Sequence, residues 1–199
     1  MIKQNKNYSI MIKQNKNYSI TVPDGPHKGE TVWISRSIAL AGVVYGFDND
    51  HKRSDEKIYI LAEKRGPGCP DNVGKWCVPC GYLDYDETAE EGIKREIFEE
   101  TGIDPKLLGN TYNFGVASDP KDDPRQNVTL RFAVRIENVD DVRTIKFSKN
   151  DSAKRGGEKN EVDELRWIPL DEVGNYDWAF GHDELIGSYF RISFHYIKQ

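Results

Sequence analysis

Apolar and polar residues follow one another along the chain in a pattern that predicts strands alternating with helices. The run SIALAGVVYGF at residues 37–47 is almost continuously apolar and contains β-branched residues, which favours a buried strand. Residues 57–61 (KIYIL) predict a second strand, and residues 128–136 (VTLRFAVRI) alternate as a half-buried strand does. Shorter strands are expected at residues 76–78, 112–117 and 165–168.

Helical patterns occupy two longer segments. One lies between Thr88 and Gly102, and another begins at about Asp183. A short helix is expected near residues 170–173. In the last helix the apolar residues recur at helical spacing, namely Leu185, Ile186, Tyr189, Phe190 and Ile197.

Two polar segments of the sequence predict loops within a single domain. Residues 64–75 are rich in Gly and Pro, and residues 148–161 are rich in charged residues and Gly. No internal linker is long enough to separate two cores. The sequence therefore predicts one domain of the α/β class, expected over residues 21–199.

The first twenty residues are a perfect duplication. Residues 1–10, MIKQNKNYSI, recur letter for letter as residues 11–20, and both copies begin with Met. Solenoid repeats run about 20–50 residues and vary between copies, so this doubling is not one of them. We interpret residues 1–20 as a cloning or gene-start peculiarity or a disordered arm, with a functional arm as the alternative, and exclude them from the fold.

Composition and charge narrow the class of protein. The 199 residues are 37% hydrophobic and 31% charged, which is typical of a globular protein. A formal charge of −5 disfavours binding to a nucleic-acid backbone. No apolar run approaches the ~20 residues that span a bilayer, and no secretion signal is visible, so we expect a cytoplasmic protein. Three cysteines do not make a disulfide framework.

The helix after Thr88 carries signals at both of its ends. Thr88-Ala-Glu-Glu91 has the form of a capping box. Gly102 is well placed to end the helix in the left-handed conformation. At about 100° per residue, the residues Ala89, Ile93 and Ile97 form the stripe that faces the core.

Three carboxylates lie beside that stripe. Glu96 and Glu100 project next to Ala89, and Glu99 lies one step around the same side. A solvated charged face is the ordinary alternative, but an unpaired charge at the edge of a core is costly. Three neighbouring carboxylates also repel one another unless a cation intervenes. Hard oxygen ligands on one face suit Mg²⁺ or Mn²⁺, so the spacing predicts a metal site.

The same segment resembles a known family motif. Glu87 follows Gly81 after five intervening residues, and the run Arg95-Glu-Ile-Phe-Glu-Glu-Thr-Gly-Ile103 follows Glu87 after seven more. These residues match the 23-residue Nudix box at every defined position. A looser similarity extends over about residues 36–190 and includes Arg166-Trp-Ile-Pro-Leu170. The resemblance implies a Nudix α/β/α sandwich with a mixed sheet, in which the box forms a loop–helix–loop.

The resemblance also implies roles for individual residues. Glu96, Glu99 and Glu100 correspond to the metal ligands, and the backbone carbonyl of Cys80, where the family usually has Gly, completes the metal shell. Glu87 and Arg95 correspond to catalytic residues that support the loop and the helix. For the general base, Glu161 is the first candidate and Glu158 the second.

The implied reaction is hydrolysis of a nucleoside diphosphate linked to another moiety, with Mg²⁺ as the cofactor and Mn²⁺ as a possible substitute. Ser118-Asp-Pro120 resembles the proline-bearing loop of ADP-ribose pyrophosphatases, and Arg125 would bind a phosphate. ADP-ribose or another nucleotide sugar is therefore the favoured small-molecule substrate. A homodimer is a further expectation that the resemblance carries.

Two other functions remain open within this fold. A pyrophosphohydrolase acting on nucleoside triphosphates or dinucleoside polyphosphates is the alternative enzyme. A nucleotide-sensing binding protein is the alternative of another class. Few residues follow Gly181, the charge is acidic and all box glutamates are present, and we therefore favour the enzyme.

The cysteines and aromatic residues suggest competing interpretations. Trp76-Cys-Val-Pro-Cys80 resembles the active site of thioredoxin-like proteins, but no helix is expected to begin there. A zinc site would need a further ligand, which cysteine and histidine spacing does not supply. Tyr82, Tyr85 or Phe47 would stack on a base, although aromatics near strands usually belong to the core. His182 is interpreted as a helix-start residue.

Overall fold

The computed structural model describes residues 18–48, 57–121, 125–148 and 160–197. The chain divides into two compact units, residues 1–37 and residues 38–199. In the first unit, strands β1 (Tyr18–Thr21) and β2 (Thr31–Ile34) pair antiparallel. This hairpin was not predicted, and it includes the last three residues of the second decapeptide copy. Residues 1–17 lie outside the described residues.

Seven strands of the second unit form one mixed sheet within the described residues. Its order is β5-β4-β3-β8-β7, with β6 paired to β3 and β9 paired to β4. Strand β3 runs parallel to β8, and the other pairs are antiparallel. The strands are β3 (Ile38–Phe47), β4 (Ile58–Arg65), β5 (Trp76–Cys77), β6 (Cys80–Tyr82), β7 (Leu108–Ala117), β8 (Val128–Ile136) and β9 (Val162–Pro169).

The predicted strands are all present, with several boundaries shifted. Strand β8 has the predicted bounds, whereas β4 continues to Arg65, inside the segment predicted as a loop. Strands β7 and β9 begin earlier than expected, at Leu108 and Val162. The short strand β6 was missed, because the three residues that follow Pro79 carry too little pattern to indicate pairing with β3.

The described residues of the second unit include two α-helices. Helix α1 (Ala89–Thr101) has Thr88 as its N-cap with a complete capping box, and Gly102 ends it with φ 72°. Both predicted end signals are therefore confirmed. Helix α2 (His182–Ile197) begins one residue before the expected start. Short 3₁₀ helices follow at Pro105–Leu107, Val142–Thr144 and Leu170–Asn175, the last of them near the predicted short helix.

The core has two halves, one on each face of the sheet. Alternate residues of a strand point to opposite faces, so Ile60 and Leu61 belong to different clusters. Ile60 packs in the cluster that includes Ile186 of α2, and Leu61 packs in the cluster that includes Ile97 of α1. Helices thus cover both faces, and the predicted α/β sandwich is confirmed. None of the helices in the described part of the chain is long and apolar enough to span a membrane.

Candidate active site

Helix α1 brings its carboxylates against strand β6. Gly81 lies in β6, and a Cβ atom added to it would lie 2.1 Å from Oε1 of Glu96. No side chain fits at that distance, so glycine at this position is what allows the Glu96 carboxylate to lie against the strand. Cys80, the preceding residue, donates its backbone N–H to Oε2 of Glu100 at 3.1 Å.

Arg95 organises one side of this cluster. Its guanidinium donates to both oxygens of Glu87, at 3.0 and 2.7 Å, and to the carbonyl of Tyr82 at 2.9 Å. It also contacts Oε1 of Glu96 at 2.8 Å and Oε2 of Glu99 at 3.2 Å. Hydrogen bonds from Arg95 lower the pKa of Glu87 and keep it ionised. The arginine thus connects the loop before α1 to two of the three predicted ligands.

Burial places the carboxylates under electrostatic strain. The exposure of Glu100 is 2% and that of Glu96 is 9%. Burial raises the pKa of Glu96 to about 7, although Arg95 opposes the shift, and Glu99 and Glu161 add to it. For Glu100, burial and the nearby Glu63 raise the pKa well above its usual range. Ionising this group of carboxylates requires a neutralising cation.

The donor set fits a hard divalent cation. Glu96, Glu99 and Glu100 present carboxylate oxygens on consecutive turns of one rigid helix, which is the kind of ligand that Mg²⁺ and Mn²⁺ prefer. The space kept open at Gly81 lies against one of these carboxylates. Glu96 and Glu100 are buried at the edge of the core, and Arg95 contacts both Glu96 and Glu99. The role of the three glutamates as metal ligands stays a prediction.

Glu63 is part of the cluster and was missed from sequence. It lies on β4 directly opposite Cys77 of β5, and its exposure is 2%. Cys77 Sγ donates to Oε1 of Glu63 at 3.2 Å. Burial raises the pKa of Glu63 to about 8, and Glu161 contributes to the shift. Only strand pairing brings this residue to helix α1, and no local motif marks it.

Of the two candidates for the general base, the structure describes Glu161 and not Glu158. Glu161 precedes β9, and its charge raises the pKa of Glu63, Glu96 and Glu100, so it lies within electrostatic range of all three. Its backbone carbonyl accepts from the N–H of Gly66 at 2.6 Å. Glu158 lies outside the described residues.

The two predicted substrate-binding residues lie on the segment between β7 and β8. Arg125 pairs with Asp71 at 3.4 Å, and its guanidinium lies 5.3 Å from the centre of the Phe180 ring. Arg65 contacts the same ring at 5.0 Å and the same carboxylate at 3.3 Å. Pro120 lies exposed in a turn. Sequence analysis missed Arg65, Asp71 and Phe180. Arg65 and Asp71 lie six residues apart, whereas Phe180 comes from a distant part of the chain.

The aromatic and histidine candidates are also located. Tyr82 is 46% exposed and Tyr85 is 92% exposed, so the expectation that these two aromatics belong to the core is wrong. Phe47 is half-buried beneath the guanidinium of Arg135. His182 is the first residue of α2, as expected, and its Nδ1 accepts the backbone N–H of Val78 at 3.1 Å.

The thioredoxin-like arrangement does not form. Cys77 lies on β5 and Cys80 on β6, so neither thiol lies at the N-terminus of a helix. Burial raises the pKa of Cys77 well above its usual range, which is the opposite of what a reactive thiol needs.

Comparisons with known proteins agree with this geometry. The family model described as the NUDIX domain matches residues 39–188. A relative named ADP-ribose pyrophosphatase, from Methanocaldococcus jannaschii, is 29% identical over 166 residues, covering 82% of this chain and 79% of the relative. A MutT-like protein from Streptomyces ambofaciens is 43% identical over 67 residues, about a third of each chain.

Solved structures share the fold. The NUDIX domain of Shewanella oneidensis NrtR, solved with ADP ribose, has a TM-score of 0.60 and 18% identity, covering 80% of this chain and 90% of that one. A mutT/nudix family protein from Listeria innocua has a TM-score of 0.56 and 21% identity, covering 82% of this chain and 98% of that one. At these identities the likeness shows the fold alone.

Proposed function

Because the chain belongs to the Nudix family of hydrolases, we propose that it cleaves the pyrophosphate bond of ADP-ribose or a related nucleoside diphosphate sugar, using Mg²⁺ or, as a substitute, Mn²⁺. The observation that carries the proposal is the burial of Glu96 and Glu100. Burial raises the pKa of both carboxyls, and a bound cation would stabilise their ionised forms. The ADP-ribose pyrophosphatase from M. jannaschii supports the choice of substrate.

In this proposal Glu96, Glu99 and Glu100 hold the cation, together with the backbone carbonyl of Cys80. When bound, the cation neutralises the charge that develops on the phosphate oxygens. Arg95 keeps Glu96 and Glu99 in position through its own attachment to Glu87. A change at Arg95 or Glu87 therefore acts by displacing ligands.

Glu161 is the proposed general base. It accepts a proton from the water that attacks phosphorus, while the bond from phosphorus to the bridging oxygen breaks. Glu161 lies within electrostatic range of Glu96 and Glu100, and this proximity supports the assignment. Glu158 remains the second candidate for this role.

Arg125 is the proposed ligand of a substrate phosphate, with the exposed Pro120 on the same segment shaping the substrate site. Arg65 and Arg125 meet at the Phe180 ring and at Asp71, so two guanidinium groups converge on one carboxylate. Guanidinium groups bind phosphate oxygens in a fixed bidentate geometry. This cluster therefore provides an anion-binding surface suited to a diphosphate.

A substrate panel with Mg²⁺ tests the proposal. The panel contains ADP-ribose, other nucleotide sugars, dinucleoside polyphosphates and nucleoside triphosphates, and the products are separated and identified. We expect the highest kcat/KM with ADP-ribose, which yields AMP and ribose 5-phosphate. Turnover confined to triphosphates or dinucleoside polyphosphates would overturn the substrate assignment and leave the reaction class intact. Tight binding of ADP-ribose without turnover would instead identify a sensor.

We also propose that the protein forms a homodimer, as the family resemblance implies. Sedimentation velocity over a range of concentrations tests this directly. A species with twice the 22.8 kDa chain mass is expected. A single species of the chain mass at all concentrations would contradict it.

A further inference from the structure

We propose that Glu63, Cys77 and Cys80 form a second cation site, specific for a thiophilic divalent ion such as Zn²⁺, beside the glutamates of α1. The proposal does not depend on the substrate assigned above. It concerns the side-chain thiols of the Trp-Cys-Val-Pro-Cys segment, for which the hydrolytic reaction has no use.

The sheet itself builds the site. Glu63 of β4 and Cys77 of β5 are directly opposed in the antiparallel ladder, so their side chains point to the same face. Cys80 follows three residues later, where β6 begins its pairing with β3. Two cysteines separated by two residues have the ligand spacing of structural zinc sites. The sheet adds the further ligand that sequence spacing does not supply.

The ligand atoms are already close together. The two Sγ atoms and a carboxylate oxygen of Glu63 all lie within 4.8 Å of one another. One of these contacts joins Cys77 Sγ to Oε1 of Glu63 at 3.2 Å. Zinc binds sulfur at about 2.3 Å and carboxylate oxygen at about 2.0–2.2 Å, so tetrahedral ligands of one ion lie roughly 3.5–4 Å apart. Small side-chain movements therefore bring all three atoms onto one ion.

A second observation points to a missing cation. Oε2 of Glu63 is buried and has no hydrogen-bond partner among the described residues. A buried polar atom without a hydrogen-bond partner is costly. An ion held with Cys77 and Cys80 would satisfy it.

Ligand chemistry separates this site from the glutamate cluster. Thiolates select Zn²⁺ and other soft ions, whereas carboxylates and carbonyls suit Mg²⁺. The two sites share a border at Cys80, whose backbone N–H donates to Glu100. Occupation of the thiol site would therefore alter the surroundings of a proposed Mg²⁺ ligand, and Zn²⁺ is expected to change the Mg²⁺-dependent rate.

Cadmium titration of the full chain, kept reduced, tests the proposal. Cd²⁺ bound by thiolates gives an ultraviolet charge-transfer band that carboxylates alone do not give. We expect a band that saturates at about one ion per chain. Cys77→Ser and Cys80→Ser should each weaken binding at least about tenfold, and Glu63→Gln should weaken it by a similar factor.

Two control variants test whether the charge-transfer band comes from Cys77 and Cys80. Cys69→Ser removes the third thiol of the chain, which lies outside the cluster, and should leave the band unchanged. Glu100→Gln removes a proposed Mg²⁺ ligand and should leave the thiolate band in place. A band that survives both Cys77→Ser and Cys80→Ser, or that disappears with Cys69→Ser, would overturn the proposal, as would the absence of any band. Circular dichroism of each variant confirms that it is folded.

Discussion

Gly81 is the residue at which backbone geometry controls the glutamates most directly. A Cβ at this position would lie 2.1 Å from Oε1 and 2.3 Å from Cδ of Glu96. We predict that Gly81→Ala displaces this carboxylate and lowers kcat/KM with Mg²⁺ by about tenfold or more, because displaced ligands bind the cation less tightly. Steady-state kinetics at several Mg²⁺ concentrations measure the effect.

Gly174 provides the matched control for that substitution. A Cβ added there meets no atom within 4 Å, and its φ is not in the left-handed region. Gly174→Ala should therefore leave kcat/KM unchanged. Equal activity of the two alanine variants would show that contact with Gly81 does not position Glu96.

Among individual residues, the sequence predicts the candidate site residues that lie on one local segment and misses those that strand pairing brings in from elsewhere. Helical periodicity and the Nudix box locate Glu96, Glu99 and Glu100, since all three lie on one short segment. Glu63 and Arg65 join the site through pairing of β4 with its neighbours, and no local pattern encodes which strand will lie beside which.

At the scale of elements, the N-terminus of α1 depends on one side chain. Thr88 Oγ1 accepts the N–H of Glu91 at 3.2 Å, and Glu91 accepts the N–H of Thr88 at 2.8 Å. We predict that Thr88→Ala lowers the free energy of unfolding by about 1 kcal/mol, because the N–H of Glu91 loses its acceptor and Oε2 of Glu91 loses the hydrogen bond from the Thr88 hydroxyl. Urea denaturation measures the change.

The conservative variant distinguishes capping from a general effect of substitution. Thr88→Ser keeps the hydroxyl and should retain most of the stability. If Thr88→Ser destabilised the protein as much as Thr88→Ala, the capping hydrogen bonds would not explain the result.

The elements themselves were predicted well where their patterns are long. Helix α1 and strand β8 have the predicted ends, because capping signals and strict alternation mark them. The short strand β6 and the hairpin of β1 and β2 were not predicted. Segments of three or four residues become strands through their partners, and sequence alone does not reveal those partners.

At the scale of the whole molecule, His182 joins helix α2 to the sheet segment that precedes Gly81. Its exposure is 6%, and burial lowers the pKa of His182 to about 3, with the charges of Arg65 and Arg131 adding to the shift. The folded state thus holds the imidazole neutral, so that Nδ1 accepts the N–H of Val78.

We predict that this histidine makes stability decrease on acidification. Between the unfolded pKa of 6.5 and the folded value of about 3, the unfolded chain binds a proton that the folded chain does not. The His182 contribution should therefore cost about 2 kcal/mol of unfolding free energy on going from about pH 7 to about pH 5. Urea denaturation at both pH values measures it.

His182→Asn is the matched variant for the pH measurement, because the amide oxygen retains an acceptor for the N–H of Val78 and does not titrate. The loss of stability between the two pH values should be smaller in this variant by about the same amount. An identical pH dependence of the two proteins would show that His182 is not held neutral by burial.

The whole-molecule prediction from sequence was the α/β/α sandwich, and it is confirmed. The family follows from the 23-residue box and is also confirmed, by a match over residues 39–188. Substrate identity does not follow in the same way, because it depends on loops such as the one that carries Arg125, whose partners Asp71 and Phe180 come from elsewhere in the chain.

The measurement that tests the central claim most directly is AMP release from ADP-ribose by three proteins, with Mg²⁺ and with a chelator. These are the unaltered chain, Glu100→Gln and Glu90→Gln. Glu90 is an exposed residue of the same helix, and its side chain pairs with Lys94. We predict that release stops without the cation, that Glu100→Gln lowers kcat/KM by about 100-fold or more, and that Glu90→Gln leaves it unchanged. Equal activity of Glu100→Gln and Glu90→Gln, or full activity in the chelator, would contradict the account.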